Sequence, residues 1–435
     1  MVSTSLIRFP LLTLMILATG TPSQPAGSAV EQFRDIQASL RQARASGNWS
    51  ASLADANQLR LFMNDAPDSL LEVARAEVRV GDLDTALHTL NQFAAMGQST
   101  NLPETSEEFA PLRKKEAIAS IESQMKTNES PILRGGTAFS LSDAEFLAED
   151  IDHDPETGRF FITSIREKKI LATDDKGRGN QFARAPDGWP MLAIKVDLLH
   201  KRVWATEVAL RDFSIVPKPD WGRSALLCFD LKDGRLLRRI EGPSGSALGD
   251  MALTAEGDVI VSDGEGGGVY RIRANGNQME RLDNGDFVSP QTPAIHPDGR
   301  HIFVPDYVRG IGVLDMKTKR VQWLSGDGRF ALNGIDGMYF YQGVLIAVQN
   351  GTSPERVAAF RLDGTLTKVV SKKIIERSTG TLGDPTHGVI VGQRFYYIAN
   401  SGWDVVDEHG DAKAGATVSP PRIMQVSLNH LGLLP

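Results

Sequence analysis

The chain has 435 residues, a length that predicts about two or three domains rather than one ordinary core. Its formal net charge of -7 at pH 7 argues against a nucleic-acid partner, which requires a basic face. The single cysteine, Cys228, excludes an internal disulfide and lies in the apolar run "ALLCFDL", where we expect a buried, unreactive thiol.

The first residues have the pattern of an export signal. Arg8 precedes the apolar stretch "FPLLTLMILATG", which is too short to span a bilayer, and Gly27-Ser28-Ala29 offers small residues for cleavage. No other segment of the sequence is long and apolar enough for a membrane helix. We therefore interpret residues 1–29 as a signal peptide and expect an exported protein, periplasmic or secreted, without membrane insertion.

Residues 30–126 are predicted to be helical. In "SLLEVARAEVRVGDLDTALHTLNQFAAMG" apolar residues recur at helical spacings, and Gly81-Asp82 marks a tight turn between two helices. The pattern resembles tetratricopeptide-type helical hairpins. Two interpretations are open: a helical spacer or cap, which so short an array favours, and a contact surface for a partner protein. Residues 127–137 are interpreted as a linker, so we expect the region after them to fold without the helices.

From residue 138 to residue 435 short β-rich runs alternate with Gly, Asp and Pro turns. Five segments share one outline, in which a polar or small residue precedes an apolar strand, a turn and a second strand. They are "AEDIDHDPETGRFFITSI", "LGDMALTAEGDVIVSDGEGGGVYRI", "PQTPAIHPDGRHIFVPDYVRGIGVLD", "IDGMYFYQGVLIAVQNG" and "PTHGVIVGQRFYYIANSGWD", with a weaker copy in "WPMLAIKVDLLHKRVWATE". The starts recur at about forty to sixty residues, the size of a four-stranded propeller blade. The sequence therefore predicts a mainly β fold, a six-bladed β-propeller, in which "TAFSLS" and "RIMQVSL" complete the ring.

In a propeller the innermost strands run beside the central channel, so residues at the starts of those strands converge on one end of it. These residues are Glu149, Met191, Asp250, Gln291, Asp336 and either Thr386 or His387. An unpaired carboxylate taken out of water costs on the order of several kcal/mol. Asp336 is therefore expected to be solvated in a turn, hydrogen-bonded, or bound to a cation.

At the same strand starts the sequence resembles the gluconolactonase/regucalcin (senescence-marker-protein) family, over about residues 138–428. Glu149 opens the first blade, "PQTPAIHPDGRHIFVPD" corresponds to a "PNG…PDG" pattern, and "IDGMYFY" corresponds to a "PDGM" start. The resemblance implies a divalent metal held by Glu149, by Gln291 in place of the family's asparagine, and by Asp336. It also implies that Asp336 is the catalytic acid/base in the hydrolysis of a lactone or related ester.

Oxygen ligands of this kind suit a hard cation, Ca²⁺ first and otherwise Mg²⁺ or Mn²⁺, with Zn²⁺ as a further alternative. The cation would polarise a lactone carbonyl and lower the pKa of a water molecule. Asp336 would then take a proton from that water and return it to the ring oxygen. His387, in "DPTHGV", is the second catalytic candidate, and a histidine hydrogen-bonded in a turn is the alternative interpretation.

Three further residues are candidates for contact with a small-molecule substrate: Asp250, Asn400 and Trp403. Each also has a structural interpretation. Asp250 would fix the entry turn of its blade through local backbone bonds, and Asn400 and Trp403, in "ANSGWD", would take part in packing between blades.

Three functions are compatible with this pattern: a metal-dependent hydrolase, a non-catalytic propeller that binds a small ligand or a protein, and a metal-free strictosidine-synthase-like propeller. Three or more oxygen ligands around one cation would favour the hydrolase. A channel mouth plugged by Met191, Tyr339 or Trp403 would favour the binding protein.

Overall fold

A computed structural model describes residues 27–100, 102, 106–407 and 409–432. Residues 1–26, which contain most of the predicted signal peptide, lie outside the described residues. At the start of the described chain, Ser28 caps the first helix and forms a reciprocal capping box with Glu31.

The predicted N-terminal helical region is present. Its α-helices are α1 (Ala29–Ala45), α2 (Trp49–Phe62), α3 (Pro67–Val80), α4 (Leu83–Ala95) and α5 (Ala117–Asn128). The predicted turn at Gly81-Asp82 is confirmed, because Gly81 ends α3 with a φ of 87° and the Asp82 side chain caps α4. Within the part of the chain that the structure describes, none of the helices is both long and apolar enough to cross a membrane.

The described residues after the helices form six β-sheets, which confirms the predicted six-bladed propeller. Two short strands come first: β1 (Ile132–Leu133) and β2 (Gly136–Ser140). Blade one contains β3 (Ala148–Asp154), β4 (Arg159–Ser164), β5 (Lys169–Thr173) and β6 (Gly179–Arg184). Blade two contains β7 (Met191–Asp197), β8 (Arg202–Val208), β9 (Ser224–Asp230) and β10 (Leu236–Glu241).

Blade three contains β11 (Leu248–Leu253), β12 (Val259–Asp263), β13 (Gly268–Ile272) and β14 (Met279–Arg281). Blade four contains β15 (Ala294–Ile295), β16 (His301–Asp306), β17 (Gly310–Asp315) and β18 (Arg320–Trp323). Blade five contains β19 (Met338–Tyr341), β20 (Val344–Gln349), β21 (Arg356–Leu362) and β22 (Val369–Arg377), with β1 as a fifth strand. Blade six contains β23 (Gly388–Val391), β24 (Arg394–Ile398), β25 (Arg422–Ser427) and β2.

The ring closes through pairing of strands from the two ends of the propeller region. Strand β2 pairs with β25, from Gly136 opposite Gln425 to Ser140 opposite Arg422, and β25 pairs in turn with β24. The prediction that "TAFSLS" and "RIMQVSL" complete the ring is therefore confirmed. Closure leaves no blade of the ring without its neighbours.

The apolar core lies between neighbouring blades. Phe160 of blade one packs with Ile398 and Ile423 of blade six, while the next residue, Phe161, packs with Leu227 of blade two. Corresponding buried clusters join the other neighbouring pairs of blades. Successive residues of a strand point to opposite faces, so each sheet buries apolar side chains on both faces.

The helices pack against blades four and five. Apolar residues of α1 to α3 form one buried cluster with Val288 and Val308, and those of α3 to α5 form another with Ala331. The backbone N–H of Ser99 also donates to the carbonyl of Ser353 at 2.7 Å. Removing the helices would expose these surfaces to water, so the structure gives a physical reason against the expectation that the propeller folds without them.

Three cationic side chains of blade five meet the C-terminal ends of α4 and α5. Arg356 donates to the carbonyl of Gly97 at 3.1 Å, Lys372 to that of Met96 at 3.2 Å, and Arg377 to that of Ser130 at 2.9 Å. These bonds satisfy carbonyl groups that lack helical partners at the ends of the helices. The segment 127–137, predicted as a linker, also contains β1, which adds to blade five.

Ile423 tests the closure of the ring, because it is fully buried at the junction of blades six and one. We expect Ile423→Ala to lower the free energy of unfolding by roughly 2–5 kcal/mol, the usual cost of truncating a buried aliphatic side chain. Leu199→Ala, at a site that is 66% exposed, is the control and should change stability by less than about 0.5 kcal/mol. Equal urea midpoints for the two variants would contradict this packing.

The pH dependence of stability tests whether Lys372 is buried between the helices and the propeller. Burial, with the nearby charges of Arg356 and Arg377, lowers the pKa of Lys372 from 10.5 to about 7. Between these values the unfolded chain binds a proton that the folded chain does not, so the free energy of unfolding rises with pH. Burial of the charged lysine destabilises the fold. This cost is absent above pH 10.5 and reaches its full size as the pH falls to 7. We expect Lys372→Met to flatten the rise in melting temperature over this range, and Lys373→Met to retain it.

Candidate active site

The starts of the inner strands meet at one end of the channel, as the sequence predicts. In blades one to three the pairing of the inner strand shifts register within its first residues, between Ala148 and Ile151, between Met191 and Ile194, and between Leu248 and Asp250. A β-bulge of this kind changes the direction of the side chains next to it. The irregularities therefore lie where the predicted site residues Glu149 and Asp250 enter the channel.

Asp250, Asp336 and His387, from blades three, five and six, form a compact cluster at this end. Each offers one ligand atom, and these atoms all lie within 4.8 Å of one another. His387 Nε2 lies 2.5 Å from Asp250 Oδ1 and 3.7 Å from Asp336 Oδ1. The three residues are only 4%, 9% and 1% exposed, respectively, so their charges interact with little screening by water.

The orientation of the His387 ring is set by blade one. Its Nδ1–H donates to the backbone carbonyl of Glu149 at 2.9 Å, and the neighbouring Thr386 hydroxyl donates to the same oxygen at 2.7 Å. These bonds direct Nε2 toward the two carboxylates. The alternative interpretation of His387 as a turn residue is therefore incomplete, because its ring bonds cross from blade six to blades one and three.

The carboxylates are also held by neutral donors. The Thr292 hydroxyl donates to Asp250 Oδ1 at 2.6 Å, and the Asn350 amide donates to Asp336 Oδ2 at 2.8 Å. Asp250 is thus linked to blades four and six and does not act as the local turn residue that its structural interpretation predicted. Gly337, next to Asp336, permits this arrangement, because a Cβ there would lie 2.8 Å from the Thr386 carbonyl.

The protonation equilibria of the cluster are strongly perturbed. Burial alone would lower the pKa of His387, but the carboxylates of Asp336 and Asp250 outweigh it and raise that pKa well above 6.5. Burial raises the pKa of Asp336 to about 6, although His387 opposes the shift. Burial likewise raises the pKa of Glu149 to about 8, against the charge of His387. Shifts of this size, with specific partners, are typical of functional sites.

Deeper in the channel, Lys195 of blade two pairs with acidic residues of blade one. Its Nζ donates to Asp150 Oδ2 at 2.7 Å, and the backbone N–H of Val196 donates to Asp152 Oδ2 at 2.6 Å. The carboxylate of Asp250 also raises the pKa of Lys195, after the larger effects of burial and of Asp150 and Asp152. The lysine therefore neutralises part of the acidic charge beneath the cluster.

Glu149 and Gln291 make different contacts from those that the family resemblance implies. The carboxylate of Glu149 accepts a bond from the Trp403 indole N–H at 2.6 Å. The Gln291 side-chain amide donates to the Ser289 hydroxyl at 3.0 Å and to its carbonyl at 3.2 Å. The cluster thus contains Asp336 as predicted, but Asp250 and His387 stand beside it in place of the other two predicted ligands.

The remaining predicted site residues have structural contacts. Asn400 donates to the carbonyl of Pro420 at 3.0 Å and accepts from the N–H of Arg422 at 2.7 Å, so it holds the base of the loop 399–421. Met191 is fully buried among residues of blades one and two and does not plug the channel mouth. Tyr339 accepts the backbone N–H of Gly388 at 2.7 Å and thereby joins blades five and six.

Two loops dock on each other over one side of the channel mouth, and we call them the lid loops, residues 209–223 and 399–421. The ring of Phe213 packs against that of Trp403 with centroids 5.8 Å apart. The backbone N–H of Ser214 donates to the carbonyl of His409 at 2.8 Å, and its hydroxyl donates to Asp411 at 2.9 Å. The lid loops thus bring Trp403 to Glu149.

An open cavity lies at the other end of the inner strands. It has a volume of about 860 Å³, and its lining includes His153, Arg159 and Tyr396. His153 follows Glu149 by four positions in β3, which corresponds to about 13 Å along the strand. The cavity is therefore distinct from the cluster.

The donor set fits a divalent cation, but it supplies two oxygen ligands and one nitrogen ligand rather than the three oxygen ligands that the sequence criterion for a hydrolase required. Two carboxylates and an imidazole converge, and the Nδ1–H of His387 is bound to a backbone carbonyl, as is usual for metal-ligating histidines. Carboxylates suit Ca²⁺, Mg²⁺ and Mn²⁺, whereas an imidazole ligand suits Zn²⁺ and other transition metals. The histidine therefore shifts the expectation from Ca²⁺ toward Mn²⁺ or Zn²⁺.

Sequence reasoning missed several supporting residues. Thr292 directly follows Gln291 at a strand start, so the convergence of strand starts could have identified it. Lys195 is a lone cation in the apolar inner strand β7, a signal similar to that of Asp336. Asn350 follows β20 in a turn and has no comparable signal, because only the folded sheet places it beside Asp336.

Comparisons with known proteins identify similar folds. No family profile matches the chain, and neither does any curated protein. The chain is similar to a PQQ-bound aldose sugar dehydrogenase from Streptomyces coelicolor, with 15% identity and a TM-score of 0.47 over 68% of this chain and 99% of the other. It is also similar to a gluconolactonase from Xanthomonas campestris, with 13% identity and a TM-score of 0.44 over 68% and 97% of the two chains.

A third similar structure is a virginiamycin B lyase from Staphylococcus aureus with quinupristin, at 13% identity and a TM-score of 0.44 over 69% of this chain and 100% of the other. A gluconolactonase is thus among the similar structures, but likeness at this level does not bear on which reaction the chain performs.

Gly410 tests the docking of the lid loops. A Cβ at this position would lie 2.2 Å from the Phe213 ring, whereas a Cβ at Gly415 would meet nothing within 4 Å. Both glycines have positive φ, 77° and 76°, so Gly410→Ala and Gly415→Ala carry the same backbone strain and differ in the clash. We expect only Gly410→Ala to accelerate amide hydrogen exchange in residues 210–216. Equal exchange in both variants would contradict the docked arrangement.

Proposed function

We propose that the protein is a metal-dependent hydrolase of a lactone or related ester, with Asp250, Asp336 and His387 as the residues that hold a divalent cation. The observation that carries the proposal is the convergence of these three buried side chains on one point of the channel mouth. Buried carboxylates require a compensating cation or a proton, and here they exceed the nearby basic groups. Two basic side chains bond to carboxylates here: Lys195 to Asp150 and His387 to Asp250. The charges of Asp336 and Glu149 also interact with that of His387, and the charge of Asp152 interacts with that of Lys195, so five carboxylates share two basic groups.

A divalent cation held by Asp250, Asp336 and His387 would supply Lewis-acid polarisation of a carbonyl oxygen and activation of water. Asp336 is the residue that moves the proton. Its Oδ2 is fixed by Asn350, and its Oδ1 faces His387 and the cluster. Asp336 accepts a proton as the water oxygen bonds to the carbonyl carbon, and it returns the proton to the ring oxygen when the C–O bond breaks. The product of a lactone is then a hydroxy acid.

The lid loops give the reaction its enclosure. Trp403 donates to the Glu149 carboxylate and packs on Phe213, so it joins the wall of the site to the lid. Once the substrate has entered, docked loops would keep bulk water from the cluster and strengthen its electrostatic interactions. An exported location, periplasmic or secreted, is part of the proposal and comes from the pattern of residues 1–29.

A second candidate function is ligand binding without catalysis. The enclosure of the cluster favours it, because Glu149 is tied to Trp403 and the cluster side chains are buried. A panel of lactones and aryl esters, assayed with the purified protein and with its metal content measured in parallel, separates the two functions. Metal-dependent turnover supports the hydrolase, and tight binding of a panel compound without turnover supports the binding protein.

Asp336→Asn tests the hydrolase most simply, because it keeps the size of the side chain and removes its charge and its proton-accepting capacity. We expect turnover to fall by roughly 100-fold or more, the usual contribution of a general acid/base. Metal affinity should fall as well, because charge largely sets it. Asp327→Asn, on the exposed turn that contacts Arg329, is the matched control and should keep full turnover.

Thermal melting gives an independent reading of the same site. A cation that binds only the folded state stabilises it, so a chelator should lower the melting temperature of the wild type. Adding Mn²⁺ to the metal-free wild type should raise the melting temperature, and this rise should be absent in Asp336→Asn. Unchanged turnover in Asp336→Asn, together with wild-type melting that does not respond to metal, would contradict the proposal.

A further inference from the structure

We propose that the turn between β15 and β16 is a second metal site, which takes a transition-metal dication of the zinc type. Its residues are His296, Asp298 and His301, which we call the hairpin cluster. Each residue offers one ligand atom, an imidazole nitrogen or a carboxylate oxygen, and these atoms all lie within 4.8 Å of one another. The site lies in blade four, at the end of the inner strand that is remote from the Asp250–Asp336–His387 cluster.

The hairpin itself brings the two histidines together. The backbone N–H of His296 donates to the carbonyl of His301 at 3.0 Å, and the N–H of Gly299 donates to the carbonyl of His296 at 3.1 Å. His296 and His301 are therefore opposite each other at the end of an antiparallel pair, where side chains project from the same face about 5 Å apart. Asp298 lies in the turn that joins them.

The distances between donor atoms are close to those of a metal-bound set. Asp298 Oδ2 lies 3.1 Å from His296 Nδ1 and 2.6 Å from His301 Nδ1. Zinc binds imidazole nitrogen and carboxylate oxygen at about 2.0–2.2 Å in tetrahedral geometry, which separates its ligand atoms by roughly 3.3 Å. His296 Nδ1 also accepts the backbone N–H of Asp298 at 3.3 Å, so an ion that contacts all three atoms would replace this bond and the two histidine–aspartate contacts.

Asp298 is oriented by its backbone contacts. Its Oδ1 accepts the N–H groups of Arg300 at 2.8 Å and His301 at 3.0 Å, which leaves Oδ2 directed at the two rings. The Arg300 guanidinium bonds to Asp315 on the neighbouring strand, so it does not occupy the position of a metal. Backbone bonds that hold a ligating carboxylate in this way raise metal affinity.

Aromatic neighbours hold the His296 ring, and solvent still reaches the cluster. The ring packs edge-on against Phe340 at 5.2 Å and against Phe303 at 6.0 Å. The side chains of His296, Asp298 and His301 retain 24%, 37% and 28% exposure, respectively, so an ion and its water ligands can enter without rearrangement of the fold.

The turn between β7 and β8 of blade two contains a similar aspartate–histidine contact at a different position, because Asp197 lies opposite Arg202 as His296 lies opposite His301. Asp197 accepts the backbone N–H of His200 at 3.0 Å and contacts its Nδ1 at 2.8 Å, the same pattern as Asp298 with His301. An aspartate–histidine contact of this kind therefore occurs in two turns of the propeller. His200 and Asp197 do not belong to a three-ligand cluster among the described residues, whereas blade four supplies His296 as the third ligand.

Two imidazoles and one carboxylate favour Zn²⁺, with Ni²⁺ and Cu²⁺ as close competitors, over Ca²⁺ or Mg²⁺. This donor set has one carboxylate, compared with two in the buried cluster. The test therefore uses zinc as the probe and the full-length Asp336→Asn protein as the parent, because that substitution weakens the buried cluster and leaves the hairpin unchanged.

The experiment measures zinc binding by calorimetry in the parent and after His296→Asn, His301→Asn or His200→Asn. We expect one zinc per chain at the hairpin of the parent. His296→Asn and His301→Asn should each weaken its affinity by roughly tenfold or more, whereas His200→Asn should leave it unchanged. Co²⁺, added in place of zinc, should show visible absorption that both hairpin substitutions remove.

Circular dichroism spectra that match those of the parent would establish that the variants are folded. Absence of zinc binding to the parent would overturn the proposal. It would equally be overturned if affinity and the Co²⁺ spectrum were the same in the parent and in His296→Asn, because the third ligand would then have no role.

Discussion

The pairing of β2 with β25 is the constraint on which the rest of the structure depends. It places residues 136–140 beside residues 422–427 and so brings blade six against blade one. The candidate site crosses that junction, because His387 of blade six donates to the backbone of Glu149 in blade one. The direction of the imidazole toward Asp250 and Asp336 is therefore a consequence of closure. The inter-blade cores and the helices packed on blades four and five support the same ring.

The end of the channel that contains the cluster buries several carboxylates, and the free energy of their desolvation must be offset by other interactions. Hydrogen bonds from Thr292 and Asn350 stabilise the carboxylates of Asp250 and Asp336. Lys195 neutralises part of the acidic charge deeper in the channel. The imidazole of His387 is shared between two carboxylates and is the element whose proton a metal ion would replace. This arrangement makes the cluster a suitable cation site.

The sequence was sufficient for the propeller because each blade repeats its own pattern of apolar strands and turns. The convergence of strand starts also identified Asp336 and His387 as neighbours across the channel. It did not predict the partners of Glu149 and Gln291, since these depend on single contacts: the Trp403 indole arrives from a long loop, and the Gln291 amide turns back to Ser289. The bond between Asp250 and His387 joins residues 137 positions apart, and no local pattern encodes it.

The central claim is that one cation binds Asp250, Asp336 and His387. The most direct measurement is an anomalous difference map from a crystal of the full-length protein soaked in Mn²⁺. The account predicts a peak in contact with both carboxylates and with His387 Nε2, with the bond between His387 and Asp250 replaced by bonds to the ion. A map without a peak at this position, in which His387 still donates to Asp250 in the presence of excess Mn²⁺, would contradict it.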